Sequence, residues 1–231
     1  MAESHKVIVH HLNDSRSQRV LWLLEELEVP YEIKKYQRTA DHVAPKELKA
    51  VHPLGLSPVI TDGDVVLAES GAIAEYLIEK YGNGRFTPPE SGRIDELYYK
   101  HYAEGTIMPL LVNQLIFTLA PQRAPFYIRP VLNMVFGMLM SQMIYPRIKL
   151  HMEMIEKHLA ARPGKFISGG DIPTAADFQM IFPLEAYVAR TESEVGEHIQ
   201  AYVKAIHERP AYKRASKGLE KGGKYSYAAG L

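Results

Sequence analysis

HHLNDSRSQRVLWLLEELEVPYE, His10 to Glu32, decides how the first half of the chain folds. KVIVHHL (6–12), which runs into it, is short and rich in β-branched residues, as a buried strand would be. Behind Asn13-Asp14-Ser15-Arg16-Ser17, the apolar residues Val20, Leu23, Leu24 and Leu27 fall at i, i+3, i+4 and i+7, with Glu25, Glu26 and Glu28 on the other side. That spacing predicts an amphipathic helix of about three turns, stopped by Pro30. A strand thus passes directly into a helix through a loop that carries two hydroxyls and a basic pair. Either Ser15 or Ser17 can serve as a plain N-cap. The position suits a second role as well. A hydroxyl donating to a thiolate at the positive end of a helix favours the anion over the thiol. A thiol of pKa ~8.5 brought down to about 6.5 goes from about 3% to about three quarters ionised at pH 7. The net rate gain is smaller, because nucleophilicity falls with pKa.

The chain has 231 residues, enough for one large domain or two small ones with ample core. Its 46% hydrophobic and 23% charged residues are ordinary for a globular protein. A net charge of zero argues against electrostatic capture of nucleic acid or an anionic membrane, so neither is expected as a partner. MAESHK carries no apolar signal region, and no stretch is expected to approach the ~20 apolar residues of a membrane span. VLNMVFGMLM (131–140) comes nearest and is bounded by Pro130 and by Ser141-Gln142. A cytoplasmic location is the default expectation. There is no cysteine, which excludes disulfides, thiolate metal sites and a catalytic cysteine. Thiol chemistry here must use a thiol that arrives with a ligand.

Further along, PYEIKKY reads as a second strand and DHVAPKELKAVHP as a short helical or irregular crossing. SPVIT and DVVLA are brief strands around Asp62-Gly63, a hairpin signal. ESGAIAEYLIEKYG is a helix with an Ile73, Ala74, Leu77, Ile78 stripe and Gly82 as its stop. The order strand-helix-strand-helix-strand-strand-helix makes a small α/β unit. GNGRFTPPESG (82–92) has linker composition. Helical spacing alone follows over 91–215, and KGLEKGGKYSYAAGL reads as a tail draped over the surface. Met134, Met138, Met140 and Met143 are expected as core filler. Tyr98, Tyr99 and Tyr102 share one helix, which cannot point all three the same way.

Three further motifs carry chemistry or structure. In PLGLSP (53–58) the bland reading is a loop proline in trans. A cis Ser57-Pro58 bond would instead turn the Ser57 amide and carbonyl outward, ready to pair with an extended peptide. At Glu69-Ser70-Gly71, Ser70 reads as an N-cap, but Ile73 stands where a capping box would place Glu or Gln. The helix start therefore keeps N–H groups that favour an incoming carboxylate by roughly 0.3–1 kcal/mol. With Glu69 beside it to receive an ammonium group, the pair suits an α-amino acid head. Thr174 and Asp177 in TAAD form a near-complete capping box, read as structural.

SRSQR after the first strand, PLGLSP before the third, ESGAIAEYL opening a helix and SGGDIPTAAD in the second half, in this order and spacing, resemble the cytosolic glutathione S-transferases. The variant is similar to the serine-type bacterial and fungal members. The resemblance covers about residues 5–215. It implies an α/β N-terminal thioredoxin-like domain (βαβαββα) over 1–82, a linker at 83–90, and an all-α helical-bundle domain with a C-terminal tail over 91–231. It implies glutathione as co-substrate with no metal, transfer to a small hydrophobic electrophile, glutathione-dependent peroxidase activity, a role in detoxification and a homodimer. On this resemblance Ser15 matches the serine whose hydroxyl supports the thiolate, with Asn13 and Ser17 as alternatives within reach. Ser57 and the cis proline Pro58 match the pair beside the cysteinyl segment, and Glu69 and Ser70 the pair that holds the γ-glutamyl head. His42 resembles a histidine near the glycyl carboxylate. Leu56 departs from the pattern, standing where several classes place a basic or polar side chain. The competing reading is a non-catalytic glutathione-binding module with a regulatory or scaffolding role. An oxidoreductase using its own cysteine is excluded by the cysteine count.

Overall fold

The computed structural model describes residues 6–13, 15–39, 43–189 and 195–220. Strand β1 (Val7–Leu12) lies inside a four-stranded sheet of order β2-β1-β3-β4. It pairs in parallel with β2 (Tyr31–Tyr36), Val7 opposite Tyr31. Parallel neighbours need a crossover, and the change from a strand to a helical period supplies it as α1 (Ser17–Leu27). That helix ends on Glu28 in the left-handed region (φ 58°), two residues before Pro30. Next, α2 (Lys46–Val51) crosses to β3 (Val59–Asp62), antiparallel to β1 with His10 opposite Val59. A tight turn at Gly63 (φ 64°) leads into β4 (Val65–Ala68), antiparallel to β3, and α3 (Ser70–Tyr81) follows. Gly82 follows α3 at a position with no room for a side chain. A Cβ there would lie 2.3 Å from the Ile78 carbonyl oxygen.

The connecting segment is packed on both halves. Phe86, at φ 62°, buries its ring edge-on against Phe178, centroids 5.8 Å apart, and Arg85 Nη2 donates to Leu27 O at 2.9 Å. After a 3-10 turn at Glu90–Gly92, α4 (Arg93–Tyr102) continues through a π-helical turn, Ala103–Ile107, into α5 (Met108–Arg123). The chain returns as α6 (Arg129–Leu139), which runs through a second π-helical turn, Met140–Ile144, into α7 (Tyr145–Ala160). Then come α8 (Ala175–Val188), α9 (Glu197–Glu208) and α10 (Pro210–Glu220). Among the described residues no strand follows β4. Every residue of α8 is buried, which makes it the axis of the helical half. One apolar core spans both halves: Trp22 of α1 lies 4.4 Å from the Phe178 ring of α8 and 6.0 Å from Tyr212 of α10.

Three expectations need correcting. The tail begins later than its composition implied, because Lys217 to Glu220 complete α10, whose Arg214 Nε reaches Glu25 Oε2 of α1 at 2.6 Å. Residues 221–231 lie outside the described set. Ser141 and Gln142, which close the apolar run, sit inside the π-helical turn, and the helix itself goes on. The methionines are mostly outside: Met140 is buried, whereas Met134 is 69% exposed and Met138 and Met143 are exposed too. Finally, the continuous helix from Glu90 to Arg123 contains an 18-residue window of mean hydropathy 1.3, so by length and composition it can cross a membrane. The expectation that no stretch comes near such a span missed it, because Thr106, Asn113, Gln114 and Thr118 interrupt its apolar pattern. Only 28% of that window is buried in the bundle, Ile107, Met108, Leu110 and Leu111 among it, and Leu115 and Ile116 are exposed. Of the three tyrosines, Tyr99 and Tyr102 turn into the core, and Tyr98 is exposed and stacks on Tyr102 at 5.4 Å.

Candidate functional site

The loop between β1 and α1 meets the turn before β3 at a cluster of hydroxyls. Ser15 Oγ lies 2.9 Å from Ser17 Oγ and 3.3 Å from Ser57 Oγ. Arg16, at φ −72° and ψ 1°, is the N-cap of α1 and makes no side-chain capping bond, so neither serine fills that position as the sequence allowed. Ser17 is the first helical residue. Its N–H approaches Ser15 Oγ at 3.4 Å, and its hydroxyl lies 2.5 Å from His11 Nδ1. Ser17 is fully buried at 0% exposure, and Ser15 at 6% sits above it. Asn13 is turned toward the β2 end, where its Oδ1 accepts from the Arg38 N–H at 2.7 Å.

Ser57-Pro58 is cis. The Ser57 hydroxyl is stitched to β1: it donates to His10 O at 2.9 Å and accepts from the Leu12 N–H at 3.2 Å. Leu54 and Leu56 are exposed beside it. His42 lies outside the described residues.

At the start of α3 the reading of Ser70 as the N-cap is corrected. Glu69 holds that position at φ 71° and ψ 113°, a left-handed conformation that costs a non-glycine residue of order 1–3 kcal/mol. The turn leaves Glu69 exposed and sends the Ser70 hydroxyl inward. There it accepts from Arg19 Nη1 at 3.1 Å and donates to Gln179 Oε1 at 3.1 Å, and Gln179 Nε2 donates back to Ser70 O at 3.0 Å. The first-turn N–H groups of α3 have no intrahelical acceptor, and a Cβ built on Gly71 meets nothing within 4 Å. A helix start open to this degree receives an anion readily.

Arg19 ties the two halves together under the loop. Its Nη1 also donates to Glu104 Oε1 and to Gln179 Oε1, both at 2.6 Å, and the guanidinium lies 5.2 Å from the Phe182 ring centroid. Burial pushes its pKa below the ordinary arginine range, and Glu104 opposes that. Glu104 stands in the π-helical turn after α4 and also pairs with Arg16 Nε at 3.1 Å. In α8, the Thr174 N–H donates to Asp177 Oδ2 at 2.8 Å as one half of a capping box, and Asp177 Oδ1 accepts from the Ile167 N–H and the Tyr202 hydroxyl. This cluster is internal and holds the second half together.

The profile described as "Glutathione S-transferase, N-terminal domain" matches residues 7–79. Glutathione S-transferase 3 of Schizosaccharomyces pombe is 34% identical across 93% of this chain and 88% of its own length. The chain belongs to the glutathione S-transferase family. Glutathione S-transferase 1 of Saccharomyces cerevisiae is 30% identical over 88% of this chain and 91% of its own. The crystal structure of a glutathione S-transferase from Actinobacillus pleuropneumoniae superposes with a TM-score of 0.72 at 30% identity, covering 96% of each chain. The protein is a glutathione transferase with a thioredoxin-like first half and a helical second half.

Several residues that shape the transferase's site escaped the sequence reading: His11, Glu104, Gln179, and the buried pair Gln18 and Glu185, joined at 2.6 Å. Gln179 and Glu185 had a usable signal. They are polar residues inside DFQMIFPLEAYV, an otherwise apolar helix, and a buried polar group needs a partner. Glu104 had none, since one acidic residue near a helix middle is ordinary.

Proposed function

We propose that this transferase ionises the glutathione thiol with the hydroxyl of Ser15 and directs the thiolate at a small hydrophobic electrophile. The observation that carries the reading is the 3.3 Å approach of Ser15 to Ser57. It brings the hydroxyl at the mouth of α1 to the cis-proline corner whose main chain is read as pairing with the cysteinyl segment. A thiol held at that corner lies within reach of a donor and of the positive end of a helix. Ser15 is favoured over Asn13, whose side chain is turned toward Arg38 at the end of β2, and over Ser17, which is sealed beneath it.

At the other end of the tripeptide, the ammonium group pairs with exposed Glu69, and the γ-glutamyl carboxylate sits on the first-turn N–H groups of α3. Ser70 contributes its main chain, because its hydroxyl is engaged by Arg19 and Gln179. On the resemblance the glycyl end falls to His42, and exposed Leu56 stands where several classes place a basic or polar side chain. Peroxidase activity, a detoxifying role and a cytoplasmic location belong to the same reading and rest on the resemblance.

A homodimer is part of it too. Val131, Met134, Val135 and Met138 recur at i, i+3, i+4 and i+7 along α6, all exposed, in a helix with no buried residue. A second copy offers an equally apolar surface to such a stripe.

Ser15→Ala tests the chemistry. Turnover with a chloronitrobenzene is expected to fall at least tenfold and the ionised fraction of bound thiol to drop with it. An unchanged thiolate fraction removes Ser15 from the mechanism.

A further inference from the structure

Beneath Ser15 the hydrogen bonds continue inward to an imidazole, and the direction in which their protons point decides whether Ser15 has a hydrogen to offer. The chain is His11 Nδ1, 2.5 Å from Ser17 Oγ, which is 2.9 Å from Ser15 Oγ. Ser57 cannot feed it. Its hydroxyl hydrogen is committed to His10 O, and its oxygen already accepts from the Leu12 N–H. Two arrangements are left. If Nδ1 presents a lone pair, the Ser17 hydroxyl donates to it and Ser15 donates to Ser17, so the Ser15 hydrogen points into the protein. If Nδ1 carries a hydrogen, His11 donates to Ser17, Ser17 donates to Ser15, and the Ser15 hydrogen is released from the relay, to rest on Ser57 Oγ at 3.3 Å or to turn outward to a ligand. The two ring nitrogens are chemically distinct, and only the second state lets Ser15 support an anion.

We infer that His11 is a positioning residue for the transferase reaction: by donating from Nδ1 to Ser17 it sets the direction of the hydroxyl relay and turns the Ser15 hydrogen toward the glutathione sulfur. This rests on Ser15 being the hydroxyl that meets the sulfur. No covalent bond is made or broken in the relay, and each hydrogen stays on its own heavy atom. Hydrogen bonds aligned head to tail polarise one another, so each upstream donor strengthens the last one. Burial of Ser17 and His11 keeps water from replacing either link.

The test compares His11→Leu, His11→Asn, Ser17→Ala and Ser15→Ala. Each is measured for the ultraviolet thiolate absorbance of bound glutathione across pH and for KM and kcat, after circular dichroism and melting have confirmed folding. His11→Leu and Ser17→Ala are expected to lower the thiolate fraction at neutral pH about three- to tenfold while KM for glutathione stays within twofold. His11→Asn, whose amide N–H occupies the Nδ1 position, is expected to restore most of it. The double variant of His11→Leu and Ser17→Ala should be no worse than either single one, since both cut the same chain. The proposal is overturned if His11→Leu keeps the wild-type thiolate fraction, or if His11→Asn is as impaired as His11→Leu. If His11→Leu does not fold, Ser17→Ala decides: a wild-type thiolate fraction there overturns the relay. Loss on Ser15→Ala with none on Ser17→Ala overturns the relay and leaves Ser15 standing. No loss on Ser15→Ala fells the underlying reading itself.

Discussion

Ser70 at the start of α3 and Gln179 in the middle of α8 hold each other by two hydrogen bonds, hydroxyl to amide oxygen at 3.1 Å and amide nitrogen to main-chain carbonyl at 3.0 Å. The helix end proposed to meet the γ-glutamyl head is thus set in place by the opposite half of the molecule.

Gln179→Leu removes both bonds and leaves Arg19 and Ser70 short of a buried partner. A loss of about 1–3 kcal/mol in stability is expected. KM for glutathione should rise several-fold with kcat changed less, because the acceptor for the tripeptide moves and the thiol corner does not. Steady-state kinetics with varied glutathione checks the split.

Two glycines should respond in opposite ways to alanine. At Gly92 an added Cβ would lie 1.9 Å from the Ser168 carbonyl oxygen, a backbone atom that cannot swing away, so Gly92→Ala is expected to cost about 1–3 kcal/mol or more. Gly71 sits in the first turn of α3 with open space around it, and Gly71→Ala should gain about 0.5–1 kcal/mol from reduced chain entropy. Chemical denaturation of both variants reads the contrast.

Asp177 carries a pH dependence. Burial pushes its carboxyl up to about 6, against the Ile167 and Thr174 N–H groups and the Tyr202 and Thr174 hydroxyls that favour the anion. An acid whose folded pKa lies above its unfolded value binds its proton more tightly when folded. Its stabilising contribution is full below the unfolded value of 3.8 and is lost as pH rises through about 6. Melting curves of wild type and Asp177→Asn between pH 4 and 7 should therefore show the gap between them widening as pH falls.

The apolar stripe on α6 predicts the state of the protein in solution. Sedimentation should give twice the 26.1 kDa chain mass for wild type, and Met134→Glu with Met138→Glu should shift it to one chain. A wild type that sediments as a single chain removes the stripe as a dimer surface.

The sheet and the helices around it were legible because their signals are local. β-branched runs, the i, i+3, i+4 stripe after Ser17 and the Asp62-Gly63 turn each act within a few residues, and the elements form where those signals fall. Ser15, Ser57 and Glu69 could be picked out because each sits at an element boundary marked by a serine, a proline or a missing capping partner. The partners behind them were not legible. His11 meets Ser17 because alternate strand residues face opposite sides, and Gln179 meets Ser70 across 109 positions of chain. The exposure of Met134 and Met138 was invisible for a related reason. A helical apolar stripe is written the same way whether its cover lies in the same chain or elsewhere.

The grip of α10 on α1 has a bearing on how the polypeptide comes to life. The outer wall of the first helix, with Trp22 against Tyr212 and Glu25 against Arg214, is supplied by the last helix described. A nascent chain must be synthesised through α10 before that wall exists, so the glutathione-facing half matures only after the helical half has left the ribosome.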